Sequence, residues 1–374
     1  MSSARVADSS YSSIEPPIGP GMYLVSYRGI TRSPPRRGRR RSAALRRGRA
    51  ARTSARCGCL SLVRSGYGGP RLTGRASIYT VTKQVGEFIW LGSTKAGETV
   101  IIKSTRHFRI TDERDILRKF QPKTPHLRPL LDEIIEPPDP PTIVLKHLED
   151  DLQTASAARK LNGKEIRYVS KRVLGALKVI HEDGYVHTDI KMDNVLVNYD
   201  PQNSTEQRFA DVQLADLEST VHITSRFCED RDEIGTPIWR SPEAQLGLKW
   251  GPATDIWSFG TMVISMIWGD NFFIFKPKVP RGHDEYELEI LAKYHIYFGP
   301  FPPSYADLAD PETLGVLSLI MNDVPPERLK PFSLASQREI SKQDKDFILK
   351  IVKLDPRDRP AAKELLEDEW FNQA

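Results

Sequence analysis

Near residue 150 the hydrophobic period of this sequence changes, and that change constrains the fold more than any other feature. Between residues 78 and 148 the runs IYTVTKQV, FIWLGS, ETVIIKS, RPLLDEII and TIVLKHL are rich in Val, Ile and aromatic residues and read as strands. Among them, ITDERDILRKF places Ile110, Leu117 and Phe120 on one helical face, with Thr111 or Asp112 as its cap. From residue 163 the apolar positions Ile166, Val169, Val173, Leu177 and Ile180 fall at helical spacing, and Gly184 stops that helix. Further helical stretches lie near 253–269, 284–298, 312–322, 343–353 and 360–368. The expected class is α+β: a small β-rich lobe over 78–148, then a larger α-helical lobe over 149–374.

Composition separates a third region. Up to residue 86 the chain holds sixteen Arg and one Lys against Asp8 and Glu15, a local excess of fifteen positive charges. The whole chain of 374 residues carries +5, so the remainder carries ten negative ones. Residues 31–56, TRSPPRRGRRRSAALRRGRAARTSAR, bury too little apolar area to offset their ordering entropy, so 1–77 is expected to be a disordered basic extension. A solvated tail, a nucleic-acid contact, a nuclear import signal and an organellar transit peptide all share this composition. A transit helix is interrupted by Asp8, Glu15, Pro16 and Pro17. With 39% hydrophobic residues the body can fill a core, which excludes a collagenous or wholly disordered chain. Cys57, Cys59 and Cys228 support neither a disulfide framework nor a zinc cage. The longest apolar run, Ile256 to Trp268, is shorter than the ~20 residues of a bilayer crossing, so no membrane partner is expected.

The chemistry concentrates after the long helix. Val186-His187-Thr188-Asp189-Ile190-Lys191-Met192-Asp193-Asn194 sets Asp, Lys and Asn at D-x-K-x-x-N spacing. Leu214-Ala215-Asp216-Leu217-Glu218 follows, then Gly235-Thr236-Pro237-Ile238-Trp239-Arg240-Ser241-Pro242-Glu243; upstream stands Val100-Ile101-Ile102-Lys103. Each alone is an ordinary polar turn or strand end. As an ordered set they resemble the protein-kinase superfamily, serine/threonine kinases in particular. Trp239 to Glu243 and LEILAKYHIYFGPFPPSY (288–305) are similar to the cyclin-dependent, MAP and SR-protein kinase group.

The resemblance implies a bilobal kinase fold over 78–374 that transfers phosphate from ATP, with Mg2+, to Ser or Thr of a protein substrate. Asp189 is then the base that orients the hydroxyl, and Lys191 offsets charge on the transferring phosphate. Asn194 and Asp216 are the metal ligands. Lys103 contacts the α and β phosphates with Glu113 as its ion-pair partner. The adenine lies against hinge Lys146-His147-Leu148 and on Leu196, between Ile101 and the gatekeeper Leu145, under a loop that includes Val85 and Gly86. Glu243 pairs with Arg359, and Asp255 binds amides of the catalytic loop. The expected location is cytoplasmic or nuclear and not secreted, since the sequence shows no secretory pattern of basic start, apolar run and small-residue cleavage site, with a transit peptide left open.

The sequence departs from the pattern in four places. Val85-Gly86-Glu87-Phe88-Ile89-Trp90 is too short for a G-x-G-x-x-G loop. Thr188 replaces an arginine, Ile101 a small residue and Glu218 a glycine. A pseudokinase or nucleotide-binding scaffold is therefore the alternative reading. Glu218 is expected to restrict the backbone beside the metal site, or else to hold a cation there.

Overall fold

The computed structural model describes residues 69–202 and 206–372. The disorder expected over most of 1–77, and the residues Cys57 and Cys59, lie outside the described residues.

Six strands close a small barrel: β1 (Arg71–Gly74), β2 (Ile78–Gly86), β3 (Ile89–Ser93), β4 (Thr99–Ser104), β5 (Leu130–Glu136) and β6 (Thr142–Lys146). Their order around it is β1-β2-β3-β4-β6-β5, every pair antiparallel. Alternation puts Tyr79, Val81, Trp90, Val100, Ile102, Ile134 and Val144 inside. β1 corrects the expected start at residue 78, because it pairs with both β2 and β5 and buries Leu72 in the barrel. The turn after it is pinned by Asp132, whose carboxylate accepts from the amides of Arg75, Ala76 and Ser77 and from the Tyr79 hydroxyl. Helix α1 (Arg109–Phe120) packs outside the barrel. Neither Thr111 nor Asp112 caps it: the helix starts earlier, from Phe108, and the Thr111 hydroxyl donates back to the Phe108 carbonyl.

Past the barrel come β7 (Asp150–Asp151), α2 (Leu152–Ala158) and α3 (Gly163–Glu182). An Asn162–Glu165 capping box starts α3, and Gly184, at φ 76°, lets the chain turn away at its end. Short strands β8 (Tyr185–Val186), β9 (Val195–Tyr199), β10 (Phe209–Leu214) and β11 (Val221–His222) flank the motif-bearing loops. They pair as β10-β9-β7 and β11-β8. The rest is helical: α4 (Arg226–Glu229), α5 (Pro242–Gln245), α6 (Pro252–Trp268), α7 (Tyr286–Phe298), α8 (Pro311–Asp323), α9 (Lys342–Ile351) and α10 (Ala362–Leu366). Apolar almost all round, α6 is buried from Thr254 to Met266 and forms the centre of the larger lobe. None of the described helices is long and apolar enough to cross a membrane.

Beside α6 the Glu243 carboxylate takes both terminal nitrogens of Arg359, at 2.7 and 2.8 Å, with both side chains inaccessible to solvent. Arg359 also donates to the carbonyls of Lys353, Ala253 and Leu354. This buried pair ties the segment ending at Glu243 to the C-terminal part of the lobe.

Candidate active site

Strand β8 delivers the chain into the loop 187–194, which the first turn of α6 holds from below. Asp255 accepts from the amides of His187 (2.8 Å) and Thr188 (2.9 Å), and His181 Nε2 sits 2.9 Å from the same carboxylate. Thr188 has φ 72°, a left-handed conformation that a β-branched residue adopts at a cost of ~1–3 kcal/mol. Its hydroxyl donates to the Ser219 carbonyl, so it ties the loop to the segment after Asp216. Gly235, at φ 65°, passes so close that a Cβ would lie 2.6 Å from the Thr188 oxygen. That approach brings Thr236 onto Asp189, whose Oδ1 accepts from the Thr236 amide (3.1 Å) and hydroxyl (3.0 Å). Asp189 Oδ2 meets Lys191 Nζ at 2.8 Å and Asn194 Nδ2 at 3.3 Å. Asp189, Lys191 and Asn194 are thus one hydrogen-bonded group.

A second group forms around Lys103 on β4. Its ammonium donates to Glu113 of α1 (2.9 Å), Asp216 (3.0 Å) and Glu218 (2.7 Å). Burial by itself lowers the Lys103 pKa, but the three carboxylates outweigh it and hold the ammonium well above the ordinary lysine value. Burial pushes the Glu113 carboxyl up against the pull of Lys103. The same ammonium brings Asp216 below the usual carboxylate range despite burial. The two groups are joined through the backbone, because the Ala215 amide donates to the Asn194 carbonyl at 2.8 Å. His187 Nε2 lies 3.1 Å from the Ala215 carbonyl.

Glu218 corrects one expectation. The strained backbone belongs to Asp216, at φ 62°, whereas Glu218 lies in the 3-10 turn Leu217–Ser219 at ordinary angles. Nothing in the backbone there calls for glycine. Its carboxylate accepts from the Lys103 ammonium, beside those of Glu113 and Asp216. Asn194 commits its amide nitrogen to Asp189, which leaves its oxygen available, and Asp216 engages Lys103 through one carboxylate oxygen only. Amide and carboxylate oxygens are the hard donors that suit Mg2+.

Toward the barrel the β2–β3 hairpin reverses through Glu87 and Phe88 alone, Gly86 pairing with Ile89. Val85 is 49% exposed, and no phosphate-cradling loop forms from Val85 and Gly86. Ile101 of β4 lies opposite the buried Leu145 of β6, and Lys146 ends that strand. His147 and the buried Leu148 follow it. Burial and the nearby Arg128 push the His147 pKa down. Leu196 sits on β9, paired with Asp151 just beyond this segment. Sequence reasoning missed Arg128, whose Nε donates to the Lys146 carbonyl at 2.8 Å. No motif contains it, since the contact depends on how β5, β6 and β10 come together.

The sequence pattern of the family described as protein kinase domain matches residues 93–371, beginning at the last residue of β3 and so downstream of the short hairpin. Serine/threonine-protein kinase PAK 4 of Homo sapiens is 27% identical over 233 residues, 62% of this chain and 31% of that protein. Mitogen-activated protein kinase 15 of Arabidopsis thaliana is 27% identical over 317 residues, 80% of this chain and 52% of that protein. The chain thus spans about half or less of these two relatives' own lengths. A chain in the crystal structure of the yeast RNA Pol II CTD kinase CTDK-1 complex matches with a TM-score of 0.65 at 17% identity, covering 79% of this chain and 93% of that one. That match is a likeness of fold.

Proposed function

We propose, from the premise that this chain belongs to the protein kinase family, that it transfers the γ-phosphoryl group of a magnesium-bound nucleoside triphosphate to Ser or Thr hydroxyls of a protein substrate. The observation that carries the reading is the pair of polar groups, Glu113, Lys103 and Asp216 on one side and Asn194, Asp189 and Lys191 on the other, joined by the bond from the Ala215 amide, next to Asp216, to the Asn194 carbonyl. Phosphoryl transfer asks a protein mainly for positioning and charge. Asp189, fixed by Thr236 and Asn194, orients the acceptor hydroxyl and takes its proton. Lys191, bonded to both Asp189 and the Thr236 hydroxyl, offsets charge on the transferring group. Lys103 turns from its carboxylates to the nucleotide phosphates. Asn194 and Asp216 would hold Mg2+, which when bound neutralises the phosphates. ATP is the nucleotide that the family resemblance implies.

The two-residue hairpin supports a second reading, a nucleotide-binding scaffold without turnover, because no backbone cradle covers the phosphates. A phosphotransfer assay on a generic basic protein separates the two. With Mg2+ and millimolar ATP or GTP, labelled phosphoserine or phosphothreonine should appear, and should vanish for Lys103→Met and Asp216→Ala. Absence of transfer from the folded wild type with either nucleotide favours the scaffold.

A further inference from the structure

We propose that the outer face of α7, together with the turn that follows α8, docks a phosphorylated segment of a protein substrate, its phosphate held by Lys293, Lys278, Arg328 and Lys330. The proposal rests on the phosphotransfer reading above and names the class of protein on which that reading acts.

Packing fixes which side of α7 is free. Ile290, Leu291, Tyr294, His295 and Ile296 are buried, and the Tyr294 hydroxyl donates to the Arg240 carbonyl at 2.6 Å, within the segment that runs from Thr236 to Glu243. Lys293, the residue before Tyr294, is half-buried at the edge of that packed face. Two backbone contacts bring other cations to it. The Lys278 amide donates to the Glu289 carboxylate at 2.6 Å, one helical turn before Lys293. The Lys330 amide donates to the Ile296 carbonyl at 3.0 Å, which lays the chain after the 3-10 turn Pro326–Arg328 against the last turn of α7. Lys278, Arg328 and Lys330 are all exposed.

The result is a crowd of like charges with little to balance it. Burial lowers the Lys293 pKa; Glu289 opposes that, and Lys278, Arg328 and Lys330 lower it further. The Glu289 carboxylate is shared with the Lys278 amide, and among the described residues none of the four cations has a carboxylate within ion-pair distance. Elsewhere in the same lobe exposed cations do find partners, Lys342 with Asp346 at 2.6 Å and Arg357 with Asp355 at 2.8 Å and Asp307 at 3.1 Å. Residues 87–374 carry ten negative charges net, so this cluster runs against the charge of the body that bears it. Like charges this close repel, and a bound anion removes that cost.

A phosphate on a protein fits the place better than other anions do. Phosphoserine or phosphothreonine brings about −1.5 to −2 charges on one compact group, where Asp or Glu brings a single one. Three of the four cations are lysines, point charges gathered about one half-buried ammonium. A nucleic-acid backbone asks instead for a row of contacts along successive phosphates. Through Tyr294 and Arg240 the same helix supports the segment whose Thr236 meets Asp189, so the surface adjoins the acceptor side of the site.

The test acetylates the lysines of the full chain and reads each by mass spectrometry during titration with three peptide libraries, degenerate except for a central phosphoserine, serine or glutamate. Reading site by site keeps binding at α7 apart from binding by the arginine-rich extension, and a thermal melt checks folding. The phosphoserine library should protect Lys278, Lys293 and Lys330 together, at concentrations about tenfold below those the serine library needs. The glutamate library should fall between them, and Lys342 should stay unprotected. In the double variant Arg328→Gln with Lys330→Gln, half-protection of Lys293 should need about fivefold more phosphopeptide or beyond; either single variant stands in should the double one not fold. Protection of Lys293 by the serine or the glutamate library at the same concentration as by the phosphoserine library overturns the proposal, as does protection unchanged in the folded variants. Stronger protection by a thymidine oligonucleotide at equal phosphate concentration also overturns it. Phosphotransfer without phosphate-selective protection sinks the docking surface alone, whereas selective protection without phosphotransfer upholds the phosphate site and overturns the phosphotransfer reading.

Discussion

Glu218→Gln keeps the shape of the side chain and removes one of the three anions on Lys103. The lysine must give up carboxylate contacts to meet phosphates, so every carboxylate on it competes with the nucleotide. A hydrogen bond to a charged group is worth ~1.5–3 kcal/mol net. Glu218 is 30% exposed on its side chain, so water recovers part of what the bond provides and the lower figure applies. About 1.5 kcal/mol is close to tenfold in affinity. The nucleotide dissociation constant at fixed Mg2+, read by fluorescence titration, should therefore fall about tenfold in Glu218→Gln, while the nucleotide-free protein, which loses the same contact, melts a few degrees lower. Glu218→Gly should gain the same amount and no more, because residue 218 lies in a 3-10 turn that any residue can adopt. Weaker binding together with a raised Mg2+ requirement would refute the competition argument and make Glu218 a cation ligand. A much larger gain in the glycine variant would show that the backbone was the constraint after all.

Removing charge from one side of the buried Glu243–Arg359 pair, as in Glu243→Gln, should cost ~3–5 kcal/mol in urea unfolding, and a loss below ~1 kcal/mol would mean that the pair is solvated. A chain lacking residues 1–77 should melt below one lacking 1–68, since only the first loses β1, and burial of a side chain such as Leu72 is worth ~2–5 kcal/mol; equal melting would place the domain start at 78. The Arg357 hydrogen bond, against burial and with help from Ser304, holds the Asp355 carboxyl at about 2 rather than 3.8. A depressed carboxyl stabilises the fold above its unfolded value and stops doing so as pH falls through its folded one. Acid melts of wild type should thus lose stability between 3.8 and about 2 that Asp355→Asn never had, and parallel curves would contradict the contact.

The order of lobes was legible because a period of two and a period of 3.6 leave different marks in a sequence. Motif spacing located the two polar groups. It could not supply the contacts between them, such as the bond from the Ala215 amide to the Asn194 carbonyl, which depends on the fold. β1 was hidden because RLTG is too short to show alternation and adjoins the basic extension. The caps foreseen for α1 failed because Phe108 already has helical angles. Glu218 was flagged by its place after Asp216, but which residue carries positive φ is settled by tertiary packing. Arg128 left no trace, since its meaning comes from a carbonyl 18 residues away.

The central claim is that Asp189 acts on the acceptor hydroxyl within a site that binds nucleotide through other residues. Nucleotide affinity and phosphoryl transfer should be measured on one preparation of wild type and of Asp189→Asn, with Mg2+ and the better-bound nucleotide at saturation. The account predicts similar affinities and a fall in transfer of about a hundredfold or more, the scale at which a positioned base contributes. Equal transfer rates in the two folded proteins would contradict it.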